Sequence, residues 1–538
     1  MQTGPQRAGE ARMMERVEPR ALTARAAVSP AARNGPLYLN SLKRSLASHL
    51  VAVTSGRFKE RRRANKRLGH FGRLLLGSAL LLTIQACDFD NVGADWKRVR
   101  PGGATACALG GEYEFYVRAK APDALLVFLD GGGGCWSRET CEPDEVAQYT
   151  SRIEAERRPD VRRGILDVQH PLNPMSSFSM VFVPYCTADA HLGTRVHTYE
   201  SSRAGEPLVI RHVGHINAAA AVEWIETNFG DPTTIVVAGL SAGGVATPFY
   251  ADVLARRYPQ SRVIAIADGV GAWGAGTLPG IDPARWGISD AFAGRPGWSD
   301  LEPASFGVDE FFRTAAAVPG EPAMFQIDFA FDQRQALRLE QSGGAKPDVR
   351  RLLEENRAYI QARDPDFRSF TLGGNFHGAL LHPSFYHFQE GDVKAVNWLT
   401  NVLTGAAVTD ARCSECERPH LTYAPSDLEL LDRTLTLLDR ESAWDPDPPQ
   451  SSTCRESDTR RSIWCALVEA TRQLKLGDPM VQAGIFEVVI LATERLGHRD
   501  IDRPLGSFNN AEDRTFEDVR SLLEQARSNI ARALASDP

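Results

Sequence analysis

The sequence predicts an α/β protein with a mostly parallel central sheet, followed by a small domain built only of helices. From about residue 107 to 403, short apolar segments alternate with segments of helical periodicity, a pattern typical of parallel strands joined by helices. Beyond about residue 420, apolar residues recur only at the spacing of helices. We therefore expect an α/β domain at residues 100–420 and a helical domain at residues 421–538.

Seven apolar segments are candidates for strands of the sheet. They lie at residues 112–117, 124–129, 180–184, 234–239, 263–268, 324–329 and 368–372. Helices of this domain are expected at 217–229, 246–258 and 393–403. The stretch 273–306, rich in Gly, Pro, Trp and Asp, indicates an excursion that carries pocket walls.

The helical domain is expected to contain four helices. They lie at residues 426–439, 460–474, 480–496 and 516–535, with a Pro-rich break at 445–452. Nothing in this region has a pattern typical of chemistry, so we interpret it as a structural or docking appendage.

Charge is distributed unevenly along the chain. Residues 1–73 hold 16 Lys and Arg against 4 Asp and Glu, a net charge of +12, whereas the whole chain has −7, so the remainder carries −19. An acidic folded part without a basic stripe excludes nucleic acid as an expected partner. Residues 1–60, rich in Arg and Ala with little periodicity, are predicted to be a disordered basic extension.

Residues 61–87 have the pattern of a signal peptide. A basic segment at 61–67 precedes thirteen apolar residues at 74–86, which is too short to span a bilayer comfortably and suits the core of a signal sequence. The stretch ends Ile84-Gln85-Ala86-Cys87, similar to a lipobox, in which Cys87 would be lipidated. Gln85 is unusual there, so a plain signal peptide and a buried helix remain alternatives. We expect export, as a periplasmic or cell-surface lipoprotein or as a secreted protein.

The cysteines agree with export. Without Cys87 eight remain, an even number that suits disulfides in an oxidising compartment. Short loops could be closed by Cys135 with Cys141, by Cys454 with Cys465 and by Cys413 with Cys416, but the connectivity is not determined by the sequence. The Cys-x-x-Cys at 413–416 has no second such motif and no His-x-x-x-His nearby, so no metal is predicted.

A nucleophile is predicted at Ser241. The sequence Gly239-Leu240-Ser241-Ala242-Gly243 follows an apolar strand and precedes a helix, which is the context of the nucleophile elbow of an α/β-hydrolase. The turn is tight, so side chains at Gly239 and Gly243 would collide with neighbouring backbone. The alternative is a Gly-rich turn that carries a solvated serine.

An oxyanion hole is predicted beside it. Four glycines follow Asp130 directly after a strand, where backbone N–H groups can converge on one point. We assign the donors to Gly132, Gly133 and, after the nucleophile, Ala242. A phosphate cradle is the alternative, but neither of the two Gly-rich phosphate motifs is present.

The acid and the base follow the order Ser, Asp, His of this fold. Asp332, just after the strand at 324–329, is the predicted acid, with Asp328 inside that strand as a structural alternative. His377, just after the strand at 368–372, is the predicted base. His382 is the second candidate, although it suits a packed or surface position better. The histidines at 191, 197, 212 and 215 precede Ser241 and break the order.

Five segments spread along the chain are similar to motifs of a known protein family. They are 129–136 (Leu-Asp-Gly-Gly-Gly-Gly-Cys-Trp), 183–193 with its Tyr-Cys-x-x-Asp, the elbow at 241–244, Phe331-Asp332-Gln333 and His377. On these the chain resembles the pectin acetylesterase/Notum family of α/β-hydrolases. The resemblance implies a serine carboxylesterase with Ser241, Asp332 and His377 as triad. The chain departs from the family's pattern in four ways: it has Asp130 in place of Glu, one extra glycine, Cys and Trp in swapped order, and a helical tail without a counterpart.

The predicted function is an exported serine esterase that removes a short acyl group, acetyl above all, from a carbohydrate or other hydroxyl. No cofactor is expected, and a membrane enters only through the lipid at Cys87. Trp136 and Asp189 are predicted to contact substrate; packing of Trp136 and loop-holding roles for Asp189 and Asp268 are the alternatives. Two other functions stay open: a long-chain O-deacylase of the same family and a non-catalytic surface-anchored binding module.

Overall fold

The computed structural model describes residues 90–92, 95–142, 149–201, 206–274, 283–317, 320–342, 347–448, 453–497 and 504–536. The predicted basic extension, signal segment and lipidated Cys87 lie outside these residues, so those assignments stay predictions. No helix among the described residues is both long enough and apolar enough to cross a bilayer.

Fifteen strands are described. They are β1 (Asp90–Val92), β2 (Trp96–Val99), β3 (Phe115–Arg118), β4 (Ala121–Leu129), β5 (Phe178–Val183), β6 (Arg195–Tyr199), β7 (Leu208–His212), β8 (Thr234–Leu240), β9 (Arg262–Asp268), β10 (Ala323–Phe329), β11 (Arg368–Leu372), β12 (Phe388–Glu390), β13 (Val393–Lys394), β14 (Ala411–Arg412) and β15 (His420–Leu421). All seven predicted strands are among them, with ends shifted by a few residues.

Ten strands form one sheet in the order β1-β2-β3-β5-β4-β8-β9-β10-β11-β14. The strands from β5 to β14 in this order pair in parallel, and β1, β2 and β3 join them antiparallel at one side. This confirms the predicted mostly parallel sheet. The carboxyl ends of β4, β8, β9, β10 and β11 therefore lie side by side at one edge, which is where ligands bind in open α/β sheets.

Fourteen helices are described. They are α1 (Arg138–Cys141), α2 (Gly214–Asn228), α3 (Ala242–Arg257), α4 (Pro283–Trp286), α5 (Ile288–Phe292), α6 (Val308–Ala315), α7 (Gln333–Gln341), α8 (Val349–Gln361), α9 (Ala395–Thr404), α10 (Pro425–Leu437), α11 (Ile463–Leu474), α12 (Ala483–Arg495), α13 (Pro504–Asn509) and α14 (Phe516–Ser536). The sequence analysis missed α6, α7 and α8, and also the short helices α1, α4, α5 and α13. Two of these, α7 and α8, are amphipathic, but charged and amide side chains dominate their sequences and few of their side chains are buried, so no apolar run marks them.

The core lies on both faces of the sheet. Along β8, Ile235 and Val237 pack into one apolar layer while Val236 and Ala238 pack into the other, and all four are fully buried. Burial of both faces is the expected state of a parallel strand and explains why this segment is apolar throughout.

The helices from α10 to α14 surround an apolar core of their own, which includes Leu430, Leu467 and Leu522. Helix α12 also reaches the sheet region, because Phe486 and Ile490 belong to the apolar layer that contains β10 and β11. Both sets of elements lie within one compact unit. The predicted domain boundary at 420/421 remains a prediction.

Four disulfides link the eight remaining cysteines. They are Cys107–Cys186, Cys135–Cys141, Cys413–Cys416 and Cys454–Cys465. The three short loops considered from the sequence are all closed, and the Cys-x-x-Cys at 413–416 is a disulfide.

Candidate active site

Ser241 lies at a strained turn between β8 and α3. Its backbone has φ 53° and ψ −119°, a region that costs a residue with a side chain about 1–3 kcal/mol. The amide of Ser241 donates to the carbonyl of Asp268 at 2.8 Å. A methyl group at Gly243 would overlap the carbonyl of Leu129, and one at Gly239 would overlap that of Gly243. The two glycines thus permit the close approach that the elbow requires.

The glycine turn after β4 packs directly against this serine. A methyl group at Gly131 would lie 2.9 Å from Cβ of Ser241. Gly133 has φ 74°, which favours glycine. Among the residues that the structure describes, the N–H groups of Gly132, Gly133 and Ala242 are seen with no acceptor, and their role as oxyanion donors stays a prediction.

Asp130, at the start of this turn, is held by two arginines. Its carboxylate is almost fully buried and lies 2.9 Å from Nη2 of both Arg157 and Arg162. Burial lowers the pKa of His191 to about 4, so its imidazole is neutral and donates from Nε2 to the Asp130 carbonyl at 2.9 Å. The sequence analysis missed these partners because no local pattern marks the two arginines.

Asp332 and His377 form a close pair. Asp332 is fully buried at the start of α7, where its Oδ1 accepts from the amides of Arg334 (2.9 Å) and Gln335 (3.0 Å). Its Oδ2 lies 2.7 Å from Nδ1 of His377. Because a carboxylate only accepts, Nδ1 of His377 carries the proton and Nε2 is left as the basic nitrogen.

The pKa of His377 is raised above its ordinary value. Burial lowers this pKa, but the negative charge of Asp332, its hydrogen bond and the charge of Asp268 together raise it by more. The side chain keeps 22% of its surface exposed to solvent.

The histidine loop lies against the elbow. A methyl group at Gly378 would overlap the Leu240 side chain, and one at Gly269 would lie 3.2 Å from Cε1 of His377. The hydroxyl of Ser241 makes no hydrogen bond within the described residues. The structure thus brings the loops of Ser241 and His377 together and pairs His377 with Asp332, while the Ser241–His377 hydrogen bond stays a prediction.

Asp268 connects the elbow to the histidine loop. Its backbone carbonyl binds Ser241, and its buried carboxylate accepts from the amides of Ala379 (2.9 Å) and Leu380 (2.7 Å). Burial raises the pKa of Asp268 to about 7. These contacts favour the loop-holding role over direct chemistry.

The second candidates for acid and base have other partners. Asp328 accepts from the amide of Gly271 at 2.9 Å and from the amide side chains of Gln335 (2.9 Å) and Gln326 (2.7 Å). His382 is enclosed by aromatic rings, and burial lowers its pKa to about 3. Both arrangements favour structural roles.

The two predicted substrate contacts, Asp189 and Trp136, are both buried. Asp189 accepts from the Thr187 hydroxyl (2.7 Å) and from the amides of His191 (3.2 Å) and Gly214 (2.6 Å), and burial raises its pKa to about 7. Trp136 is 7% exposed and packs into the core. Their contacts favour the loop-holding and packing alternatives.

One group of three possible metal ligands occurs among the described residues. It consists of Cys135, Cys141 and His212, whose donor atoms lie within 4.8 Å of one another. The two sulfurs are joined as a disulfide, and a thiolate is what ligates a metal.

The parallel sheet, the strained serine after β8 and the histidine–carboxylate pair after β11 and β10 define an α/β-hydrolase. The family model of pectinacetylesterases matches residues 102–273, which include the glycine turn and the elbow. A second model, of a family of unknown function (DUF6197), matches residues 422–529. The chain belongs to the pectin acetylesterase/Notum family, as the sequence predicted.

Similar proteins include human palmitoleoyl-protein carboxylesterase NOTUM, 27% identical over 176 residues, which are 31% of this chain and 34% of that protein. The inactive palmitoleoyl-protein carboxylesterase notum1b of Danio rerio is 32% identical over 113 residues, 19% of this chain and 76% of that protein. The solved structure of the Wnt deacylase Notum from Drosophila aligns with 17% identity and a TM-score of 0.43, covering 60% of this chain and 97% of the other. The chain thus spans about a third of the length of the human relative.

Proposed function

We propose that this chain is an exported serine esterase that hydrolyses short acyl esters, acetyl esters above all, of a carbohydrate or another hydroxyl compound. The observation that carries the proposal is the 2.7 Å contact between His377 and Asp332 at the strand edge where Ser241 occupies its strained turn. The glycine turn that packs against Ser241 adds to it.

The reaction begins with attack of Ser241 Oγ on the ester carbonyl carbon, while Nε2 of His377 takes the hydroxyl proton. The N–H groups of Gly132, Gly133 and Ala242 stabilise the negative oxygen of the tetrahedral intermediate. When the intermediate collapses, His377 returns the proton to the leaving alcohol and an acyl-serine remains. Water, deprotonated by His377, then attacks the acyl group, and the acid leaves.

Asp332 keeps His377 in the productive tautomer. Two backbone amides fix its Oδ1, so its Oδ2 is held toward Nδ1 of His377. When His377 takes the serine proton, the carboxylate stabilises the positive imidazolium.

Export is part of the proposal. Four disulfides suit an oxidising compartment, and residues 61–87 have the pattern of a signal segment. Lipidation at Cys87 predicts a mature chain that begins there and carries the mass of a lipid. Intact-mass measurement of the mature protein tests this, and a lipid-free mass would leave a secreted protein.

Removal of the nucleophile tests the activity. We expect Ser241→Ala to lower turnover of p-nitrophenyl acetate roughly a million-fold, because the oxyanion donors alone provide only residual catalysis. Ser299→Ala, in an exposed turn, is the control and should keep the wild-type rate. If Ser241→Ala retained wild-type hydrolysis, the proposal would be wrong.

A long-chain O-deacylase is the second candidate, favoured by the palmitoleoyl-protein carboxylesterases among the relatives. p-Nitrophenyl esters from acetate to palmitate separate the two. We expect the highest kcat/KM for acetate; a maximum at long chains would favour the deacylase.

A non-catalytic binding module is the third candidate, because one relative is named as inactive. A fluorophosphonate probe reacts only with an activated serine. We expect labelling of the folded wild-type protein and none of Ser241→Ala; a folded wild-type protein that does not label would support the binding module.

A further inference from the structure

The C-terminal helical region touches the loop that carries His377. Phe486, near the start of α12, packs its ring 5.2 Å from that of Phe376, 4.5 Å from that of His382 and 5.8 Å from that of Phe388 (centroid distances). Phe376 is the residue directly before His377. One side chain of the helical region thus contacts both the neighbour of the predicted base and the segment that follows it.

A polar contact holds α12 in this position. The buried Glu487 accepts from Nη2 of Arg418 (2.9 Å), from the Tyr423 hydroxyl (2.6 Å) and from Nδ2 of Asn529 (2.6 Å). Asn529 lies on α14, whereas Arg418 belongs to the segment before α10. The carboxylate therefore fixes the helical bundle to a segment of the sheet region.

That segment is itself in contact with the histidine loop. A methyl group at Gly373 would overlap the carbonyl of Arg418, and the amide of Gly374 donates to the carbonyl of Cys416 at 2.6 Å. Gly373 and Gly374 begin the loop that leads to His377. Glu487 is therefore connected to the loop through Arg418, and Phe486 contacts the loop directly at Phe376.

On its other side the loop is held by the α/β region. The carboxylate of Asp268 binds the amides of Ala379 and Leu380, and the ring of Phe329 lies 5.8 Å from that of Phe376. The path of the loop between these contacts determines where Nε2 of His377 lies. Without the ring of Phe486, the ring of Phe376 loses a packing partner, and the loop that carries His377 can shift.

We propose that Phe486 and Glu487 make the C-terminal helical region a positioning element for His377. This inference rests on the proposed esterase function, and it assigns neither residue a contact with substrate. A misplacement of about 1 Å in a catalytic group can cost about 100-fold in rate, so a small shift of the loop is enough to be measured.

The decisive comparison is between two truncations on the same helix. Phe486→Ala removes the contact with the histidine loop, whereas Leu491→Ala removes a buried side chain that packs inside the helical core. We expect Phe486→Ala to lower kcat for p-nitrophenyl acetate about 10- to 100-fold with KM changed less than about twofold. Leu491→Ala should lower Tm comparably and keep kcat within about twofold of wild type.

Two further readouts distinguish positioning from stability. Phe486→Leu refills most of the space and should restore most of kcat. The acid limb of the pH profile of Phe486→Ala should move to lower pH, because a displaced imidazole interacts less with Asp332; Asp268 and Arg334 are the other charged groups that act on it. All rates are compared at a temperature where circular dichroism shows each variant folded.

Wild-type kcat and an unshifted acid limb in Phe486→Ala, at a Tm as low as that of Leu491→Ala, would overturn the inference. If Phe486→Ala does not fold, Glu487→Gln decides, since it weakens the Arg418 contact without removing volume; it should lower kcat severalfold, and an unchanged kcat would overturn the inference. Failure of the esterase proposal itself looks different, because the wild-type protein would then neither turn over ester nor react with fluorophosphonate.

Discussion

At His377, charge and burial act in opposite directions on the same imidazole. Burial disfavours the protonated form, and the fully buried Asp332 favours it more strongly. Since His377 must be neutral to take the serine proton, the raised pKa places the loss of activity at higher pH than for an isolated imidazole, whose pKa is near 6.5.

We therefore expect kcat/KM for p-nitrophenyl acetate to fall as the pH drops below this raised pKa. In Asp332→Asn the acid limb should move to lower pH, because the charge that raised the pKa is gone. Its kcat should fall about 10,000-fold, since an amide can hold the imidazole in the wrong tautomer. An acid limb that stays in place in this variant would contradict the pairing as the cause of the shift.

At Asp189, burial raises the pKa instead of lowering it, because the neutral form of a carboxyl is the protonated one. Its pKa is raised from 3.8 to about 7 by burial. Between these two pH values the folded state keeps a proton that the unfolded state has lost. The contribution of this group to the free energy of unfolding therefore falls as the pH rises from about 4 to about 7, by about 4 kcal/mol in all.

Asp189→Asn removes that dependence. We expect the variant to gain stability relative to wild type as the pH rises from 4 to 7, measured by urea unfolding at several pH values, with KM unchanged. A pH-independent difference would show that the carboxyl ionises normally in the folded protein, and a large rise in KM at constant stability would favour the predicted substrate contact instead.

At the scale of elements, the elbow depends on the close approach of two strands and a helix. The first turn of α3 touches the end of β4 at Gly243, and the glycine turn that follows β4 touches Ser241. The nucleophile and the predicted oxyanion donors therefore depend on the same packing between α3 and the end of β4, so we expect a change at Gly243 to disturb both.

Gly243→Ala tests this contact. The new methyl group meets backbone atoms of Leu129, which cannot rotate away, so we expect a loss of about 3 kcal/mol or more in the free energy of unfolding and loss of fluorophosphonate labelling. Gly230→Ala is the matched control, because a methyl group there meets nothing within 4 Å. Its free energy of unfolding should stay within about 0.5 kcal/mol of the wild-type value. Normal labelling of Gly243→Ala would mean that the elbow tolerates the side chain.

A strand or helix could be predicted from the sequence where the pattern of neighbouring residues alone determines it. The seven predicted strands are mostly apolar because they are buried in a layered sheet. Helices α7 and α8 were missed because charged and amide side chains dominate their sequences. The N-cap of α7 is Asp332, which accepts from two amides that only the folded turn brings to it.

At the scale of the whole molecule, one disulfide joins distant parts of the chain. Cys107 and Cys186 are 79 residues apart, whereas Cys413 and Cys416 are 3 apart. A cross-link restricts the unfolded chain more when it closes a longer loop, so the first disulfide should stabilise the fold more than the second.

We expect the double variant Cys107→Ala/Cys186→Ala to lose about 4 kcal/mol in urea unfolding, and Cys413→Ala/Cys416→Ala about 2 kcal/mol or less. Both pairs are buried, so loss of sulfur packing affects the two variants similarly. Equal losses would mean that native packing, and not loop length, dominates both disulfides.

The sequence by itself determined the parallel α/β architecture, the turn at Ser241 and the family, because apolar runs, glycine spacing and motif order are properties of neighbouring residues. It also singled out Asp332 and His377, which the structure places 2.7 Å apart. Only the tertiary structure decided that Arg157 and Arg162 hold Asp130, that Asp268 ties the elbow to the histidine loop, and that Phe486 reaches that loop from the helical tail. Each of these contacts joins residues far apart in the chain, and no local pattern specifies which distant side chain fills a given space.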